Sequence, residues 1–277
     1  RRELGGRVAR EARLPGLMEW IRVRDWRVGQ IRKLANVAVY LDSALTAQDV
    51  LDFGAEHVVL ASGCHWRRDG FGRSHGFCIP GFSGSAAVYT PDDLMEGRVP
   101  SGRIVVLDDD GFYYASVAAE FLRAHACEVV YLTPEDTIAP WSRNTLGYPH
   151  IRKRLAELEI ETLVSHAVTG FDGTTLTIED IWTHQRGAIP CDAVLTITAR
   201  LPDDVLHQAL RARAAEWKAA GIDSVRCIGD AEAPGLIAHA VYAGHRYARE
   251  LDESTLGDVT FARQLPSAED SQYTAHL

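Results

Sequence analysis

Apolar and polar positions along this chain follow two periods. Residues 225–228 (Val-Arg-Cys-Ile) are a short, mostly apolar run stopped by Gly229-Asp230, the pattern of a buried strand that ends in a turn. Leu236, Ala240, Val241, Gly244, Tyr247, Ala248 and Leu251 then recur at helical spacing. Pro234 falls where a first helical turn tolerates proline, so the pattern predicts a helix starting there. A strand that ends in Gly-Asp and runs into a helix start offers partial positive charge and free N–H groups to a phosphate. The small residues Ala231, Ala233 and Gly235 would let a ligand approach the backbone closely. An ordinary strand–turn–helix of an α/β core has the same local pattern.

The rest of the chain carries similar signals. Residues 4–7 (Leu-Gly-Gly-Arg) read as a glycine turn leading into residues 8–14, which Pro15-Gly16 breaks. Leu17, Trp20, Ile21, Val28, Ile31 and Leu34 recur at helical intervals, with basic residues on the remaining, solvated positions. Residues 37–41 read as a strand, and Thr46 as the N-cap of a short helix. The apolar strand 57–60 runs into Ala61-Ser62-Gly63, small residues where backbone must approach a ligand or another strand. Residues 64–100 are rich in glycine and proline, as in a crossing between domains.

Residues 104–107, 113–123 and 128–132 then read as strand, helix and strand, a βαβ unit and therefore a parallel sheet. An amphipathic helix is predicted over 151–158. Strands are predicted over 162–169, 174–184 and 193–198, the first two joined by a hairpin at Asp172-Gly173. A helix over 205–220 leads back to the first stretch, and periodicity fades from about residue 256. This order predicts an α/β fold of two nested dinucleotide-binding-like domains, three-layered with parallel sheets. Residues 1–98 and 200–260 would form one discontinuous nucleotide-binding domain, residues 99–199 its insert, and residues 261–277 a tail.

Composition narrows the function classes. The 277 residues carry a net charge of −9 and no long basic run, which argues against nucleic acid as a partner. No apolar run reaches the length of a membrane span. The five cysteines (Cys64, Cys78, Cys127, Cys191 and Cys227) include no CxxC pair, so neither zinc nor an iron–sulfur cluster is expected from this chain alone. Their odd, scattered number suits a reducing, cytoplasmic setting. The eleven histidines share no metal-ligand spacing, and no Ser-His-Asp arrangement stands out. The six tryptophans read as core or interdomain anchors. The chain opens Arg1-Arg2-Glu3 without methionine and reads as a piece of a longer polypeptide.

Several motifs together resemble the trimethylamine dehydrogenase family, with its dimethylamine and histamine dehydrogenase members. They are Leu4-Gly5-Gly6-Arg7, Leu14-Pro15-Gly16-Leu17, Arg24-Asp25-Trp26-Arg27, Thr46-Ala47-x-Asp49-Val50-Leu51, Ala61-x-Gly63 and Ile228-Gly229-Asp230-Ala231-Glu232-Ala233-Pro234. The resemblance runs from the start of the chain to about Glu253. It implies the C-terminal ADP-binding and pseudo-NAD-binding domains of an amine dehydrogenase. The N-terminal (β/α)8 barrel, with its covalently bound FMN, amine site and 4Fe-4S cluster, would lie outside these residues. The first β-α-β with its glycine-rich loop would lie just upstream of Arg1. Trp20, Trp26 and Trp66 flank the segments nearest that barrel. The implied reaction is hydride loss from an alkylated or biogenic amine to flavin, with electrons passing through the cluster to an electron-transferring flavoprotein. The implied assembly is a homodimer of the parent protein.

The resemblance also implies two nucleotide sites. ADP would lie against Leu4, Gly5, Gly6 and Arg7, beside Ala61, Ser62 and Gly63, with Gly229 and Asp230 toward the pyrophosphate and Arg7 paired to a phosphate. No catalytic residue is expected within the chain. The second site is degenerate. A functional reductase of the 2,4-dienoyl-CoA reductase type carries GxGxxG after the strand 104–107, whereas Asp108, Asp110 and Tyr113 fill the three glycine positions here. Three adjacent carboxylates are expected where a pyrophosphate would sit, accepting the free N–H groups of the next helix in its place. An NAD(P)H-dependent flavin oxidoreductase and a non-catalytic nucleotide-binding module are the alternative readings.

Overall fold

The protein is described by a computed structural model over residues 2–251. The expected tail, residues 261–277, and the end of the first domain beyond residue 251 lie outside the described residues.

The chain starts with α1 (Arg7–Glu11), a 3-10 turn (Met18–Trp20) and α2 (Ile21–Ile31). Helix α3 (Ala47–Phe53) is bounded as its residues dictate. The Thr46 hydroxyl accepts from Asp49 N–H at 3.2 Å, and the Asp49 carboxylate accepts from Thr46 N–H at 2.7 Å. Gly54 closes the helix in the left-handed region. Strands β1 (His57–Leu60), β2 (Cys64–Trp66) and β3 (Val88–Tyr89) follow, then α4 (Pro91–Met95), β4 (Arg103–Asp108), α5 (Tyr114–Ala124), β5 (Glu128–Leu132) and α6 (Tyr148–Glu157). Strands β6 (Glu161–Leu163), β7 (His166–Phe171), β8 (Thr175–Asp180), β9 (Arg186–Pro190), β10 (Ala193–Ile197) and β11 (Arg200–Pro202) come next. The described chain ends with α7 (Val205–Ala212), α8 (Ala214–Trp217), β12 (Ser224–Cys227), a 3-10 turn (Gly229–Ala231) and α9 (Ile237–Glu250).

The largest sheet is five-stranded and wholly parallel, in the order β3-β10-β4-β5-β6. Its central strand β4 shows why a continuous apolar run belongs here. Ile104 and Val106 pack with α5 and α6 on one face, and Val105 and Leu107 pack on the other against Val168, Phe171, Leu176 and Ile178. Those residues belong to an antiparallel sheet, β7-β8-β9. Helices, parallel sheet and antiparallel sheet thus form three layers. Burial of β4 on both faces is what a parallel strand requires. Strands β1 and β12 pair in parallel, His57 against Ser224 through Leu60 against Cys227, and pack with α3 and α7 around Leu60, Leu210 and Val225. Strand β11 runs antiparallel to β2.

Some expectations need correction. Residues 37–41 form no strand; they pair with nothing in a sheet, and Tyr40 is 75% exposed. The expected strand 162–169 is two strands. Ser165, at a positive φ of 55°, bends the chain out of the parallel sheet and into the antiparallel one. The helix expected over 205–220 breaks at Arg213. Strand β9 has no counterpart in the sequence reading, and its exposed Arg-Gly-Ala shows why. Helix α9 starts at Ile237, so Pro234 lies ahead of it rather than in its first turn. Trp26, Trp141 and Trp182 are exposed and so are not core residues, which leaves only the interdomain half of the expectation for them.

Residues 64–100 are ordered by charge as well as by turns. The buried Asp93 carboxylate caps α4 through Thr90 N–H at 2.7 Å and takes Arg68 Nη2 at 2.7 Å and Arg98 Nε at 3.0 Å. These contacts hold its pKa below the ordinary carboxylate range against the opposing effect of burial. Asp92 accepts from Trp66 N–H at 2.8 Å and pairs with Arg10 at 3.3 Å, which fastens the loop to α1.

Candidate functional site

A cleft of about 780 Å³ opens between α1, α2, the end of β1, the turn after β12 and the flank of α9. Leu4, Gly5, Gly6, Arg7, Ala61, Ser62, Gly63, Gly229 and Asp230 all line it. Three segments far apart in sequence are therefore brought to one place, because β1 and β12 are parallel neighbours whose C-terminal ends stop side by side. Ligand clefts in open α/β sheets form at such strand ends. Gly229 turns the chain there with a φ of 61°, and Gly63, with a φ of 94°, has open space where a Cβ would stand.

Arg7 does not wait for a phosphate. Its Nε lies 2.9 Å from Glu11 Oε1, its Nη1 3.2 Å from Asp230 Oδ2, and its Nη2 donates to the Gly235 carbonyl at 2.9 Å. Asp230 is likewise engaged, accepting from Gly235 N–H at 2.9 Å and from the Cys64 thiol at 3.4 Å. Burial is the main reason the Cys64 thiol is pushed up to about 12. Burial also pushes the Glu11 carboxyl up to about 7, against the opposing pull of Arg7. The Ser62 hydroxyl donates to the Asp203 carbonyl.

Nor does the start of α9 face the cleft as expected. Leu236 N–H bonds to His239 Nδ1 at 3.0 Å, and the helix presents its side, through Ile237, Ala240, Val241 and Gly244. The sequence reading missed Cys64, Arg10, Arg24 and Arg27, which also line the cleft. It also missed Glu11; its i+4 spacing from Arg7 was the available signal. Four arginines and two carboxylates, Glu3 and Asp230, stand on the lining; Arg24 is held by Glu3 and Asp25, each at 2.7 Å, and Arg10 by Asp92 at 3.3 Å.

The degenerate fingerprint departs from expectation in its details. The three carboxylates neither stand together nor cap α5, which has no side-chain cap. Asp108, fully buried, folds beneath its own turn. Its Oδ1 accepts from Gly111 N–H at 2.8 Å and Asp110 N–H at 3.1 Å, while Oδ2 accepts from the Tyr131 hydroxyl. Burial pushes its carboxyl up to about 7. Asp109 turns the other way and accepts from Ser74 N–H at 2.9 Å, His75 N–H at 3.0 Å and His75 Nδ1 at 3.3 Å. The far nitrogen of that ring, Nε2, accepts from Val168 N–H at 2.9 Å. The pKa of Asp109 is held below the ordinary carboxylate range by these bonds despite burial. Asp110 alone remains toward a cavity. Tyr113, at the third glycine position, packs edge-on against Trp20 with ring centres 4.9 Å apart.

The parallel sheet, its covering helices and the cleft at the ends of β1 and β12 define a Rossmann-like α/β protein. Residues 89–189 match the family model for an OYE-like second alpha/beta domain. Dimethylamine dehydrogenase of Hyphomicrobium sp. (strain x) is 34% identical over 281 residues, covering 92% of this chain and 38% of that protein. The structure of histamine dehydrogenase from Rhizobium sp. 4-9 superposes with a TM-score of 0.91 at 45% identity, covering 95% of this chain and 41% of that one. That of 6-hydroxypseudooxynicotine amine oxidase from Pseudomonas geniculata N1 gives 0.86 at 37% identity, with 92% and 37% covered. The chain belongs to the trimethylamine dehydrogenase-like family. It spans about two fifths of the length of these relatives. Among the described residues, no helix is long and apolar enough to cross a membrane.

Proposed function

We propose that this chain is the nucleotide-binding part of an amine-oxidising flavoprotein, and that its cleft holds ADP as a structural ligand. One observation carries the reading: three distant segments with small residues at their turns converge on a cleft whose charged lining is mainly arginine. Gly6, Gly63 and Gly229 would let the ligand approach the backbone, and Arg27, which has no carboxylate partner among the described residues, would supply charge to its phosphates, with Arg10 and Arg24 joining it only by leaving Asp92 and Glu3. Arg7 and Asp230 serve a different end from the one their residue types imply. They lock α1 to the turn after β12 and so shape the cleft wall. ADP supplies no redox chemistry, which fits a lining whose one thiol, Cys64, is pushed up to about 12 by burial.

In this reading residues 1–98 and 200–260 are one nucleotide-binding domain and residues 99–199 a second, inserted one. A barrel domain, absent from these residues, would carry FMN, the 4Fe-4S cluster and the amine site. Electrons would leave to an electron-transferring flavoprotein, the parent would be a homodimer, and the setting would be cytoplasmic. The chain itself would be inactive toward amines and would serve as a docking and structural module. Its five free cysteines are dispersed, which supports placing the cluster elsewhere.

The test is the nucleotide released on denaturation, together with calorimetric titration. ADP released or bound with micromolar affinity, and weakened at least about tenfold by Arg27→Glu, supports the reading. Release of intact FAD, or no response to ADP, overturns it.

A further inference from the structure

A second cavity, of about 330 Å³, lies between α1 and the start of α5, separate from the nucleotide cleft. Its lining combines aromatic rings with carboxylates. Trp66 and Tyr114 lie 5.2 Å apart between ring centres, Tyr113 and Tyr114 5.7 Å apart, and Trp141 stands at the mouth, 53% exposed. Glu11 is fully buried, and neither of its carboxylate oxygens accepts a hydrogen bond, although Arg7 lies within ion-pair distance. Among the described residues, the Asp110 side chain has neither a hydrogen bond nor an ion pair. Only its backbone N–H is engaged, with the Ile197 carbonyl at 3.1 Å and Asp108 Oδ1 at 3.1 Å.

Buried acceptors without donors are costly, and native structures keep few of them. Arg7 divides its charge between Glu11 and Asp230. Arg200 lies over the Trp66 ring, 5.1 Å from its centre, and donates to the Gly235 carbonyl at 3.0 Å. The cavity's two carboxylates are matched in number by Arg7 and Arg200, but the Asp110 carboxylate has no hydrogen bond or ion pair, and Arg73 and Arg7 act on it only from farther off. Aromatic faces with an unmet carboxylate are the surroundings that attract a positively charged alkylammonium group.

We propose that this cavity binds a small organic ammonium ion, its charge met by the carboxylates of Glu11 and Asp110 and its alkyl groups resting on Tyr113, Tyr114 and Trp141. The inference does not depend on ADP in the neighbouring cleft or on any amine chemistry elsewhere in the protein. Binding links α1 to the turn after β4, and so ties the segment beside the cleft to the five-stranded sheet.

The site should be more receptive at alkaline than at acid pH. Burial pushes Glu11 up to about 7 and Asp110 up to about 6. Arg7, Arg10, Asp92 and Asp230 act on the first, and Arg73, Arg7 and Asp109 on the second. A bound cation favours their charged forms, so affinity should fall as they take up protons.

The test compares tert-butylammonium with tert-butanol, which share shape and differ in charge. Tryptophan fluorescence and calorimetry would follow both at about pH 8 and about pH 5, well either side of the two carboxyls. The expected result is saturable millimolar binding of the ammonium at the higher pH and at least about tenfold weaker binding of the alcohol. Binding should weaken at least about fivefold in Asp110→Asn and again at the lower pH. Near-ultraviolet dichroism checks that the variant is folded, and Trp141→Ala, at the exposed mouth, provides a second one. Equal binding of the alcohol overturns the proposal. So does an absence of saturation, or an affinity unchanged in both variants.

Discussion

Arg7 Nη1 lies 3.2 Å from Asp230 Oδ2, joining the first helix of the chain to the turn that follows its last strand. Both groups are largely buried, and Glu11 completes the network with an Oε1 2.9 Å from Arg7 Nε. A buried arginine shared between two carboxylates is most sensitive to loss of the shared member. Arg7→Ala should cost about 3–5 kcal/mol in denaturant unfolding, because Glu11 is left buried without a counter-charge. Arg7→Met combined with Glu11→Met should recover most of that loss, since an apolar pair removes the uncompensated charge. A double variant no more stable than the single one would show that the network contributes through geometry rather than charge.

The Glu11 carboxyl, pushed by burial up to about 7 from an ordinary 4.5, makes stability depend on pH with a definite sign. Between those values the folded state holds the proton more tightly than the unfolded one. Stability therefore falls as pH rises from about 4.5 to about 7 and stays lower above that. Glu11→Gln should remove this contribution. Its gain over the parent protein should be larger at about pH 8 than at about pH 5, by about 3 kcal/mol at most. Paired denaturant curves at the two pH values measure it, and a gain independent of pH contradicts the assignment.

Asp109 tethers the loop before β3 to the end of β4 through Ser74, His75 and, by way of the His75 ring, Val168. Asp109→Ala should leave several buried donors unmet and cost about 3 kcal/mol or more. Amide exchange should rise at Ser74, His75 and Val168 before it rises in β5. Uniform acceleration across the sheet would refute the tether.

Two loop glycines separate backbone strain from steric conflict. A Cβ on Gly81 would lie 1.7 Å from the Phe171 carbonyl oxygen, whereas one on Gly84 meets nothing within 4 Å, although both residues have positive φ. Gly84→Ala should cost about 1 kcal/mol through backbone conformation alone. Gly81→Ala should cost more than about twice that, since a backbone atom of β7 must move. Thermal melts of the two variants decide this; equal shifts would mean that the loop relaxes freely away from β7.

NADH and NADPH should give no calorimetric signal at millimolar concentration in the inserted segment. The turn after β4 is filled by Asp108, and the position of the third glycine is occupied by Tyr113 against Trp20. Replacing Asp108, Asp110 and Tyr113 by glycine should lower stability without restoring binding, since Asp108 supplies the acceptor for its own turn. Sub-millimolar binding to the unmodified protein would favour the reductase reading.

Local chemistry made much of this architecture legible before any coordinates. The apolar run at residues 104–107 has to be buried on both faces, and its flanking helix and strand make a parallel unit the economical solution. Thr46 and Asp49 mark a helix start that depends only on residues three apart. Turns at strand ends mark the segments of Gly6, Ser62 and Asp230 one by one in the sequence, and it is the family resemblance that implies a common site for them. What the sequence could not decide was direction and partnership. Asp108, Asp109 and Asp110 are consecutive and chemically alike, yet one folds under its own turn, one reaches Ser74 and His75, and one faces a cavity. Ser165 splits an unbroken strand pattern because two different sheets compete for its flanks. Arg7 is a phosphate ligand by type and a structural latch by position. Periodicity and capping are read from neighbours in sequence, and those the chain itself determined. Which donor meets which carboxylate depends on groups remote in sequence, 23 residues away for Asp108 and Tyr131, 34 for Asp109 and His75 and 166 for Asp230 and Cys64, and only the tertiary structure brings those together.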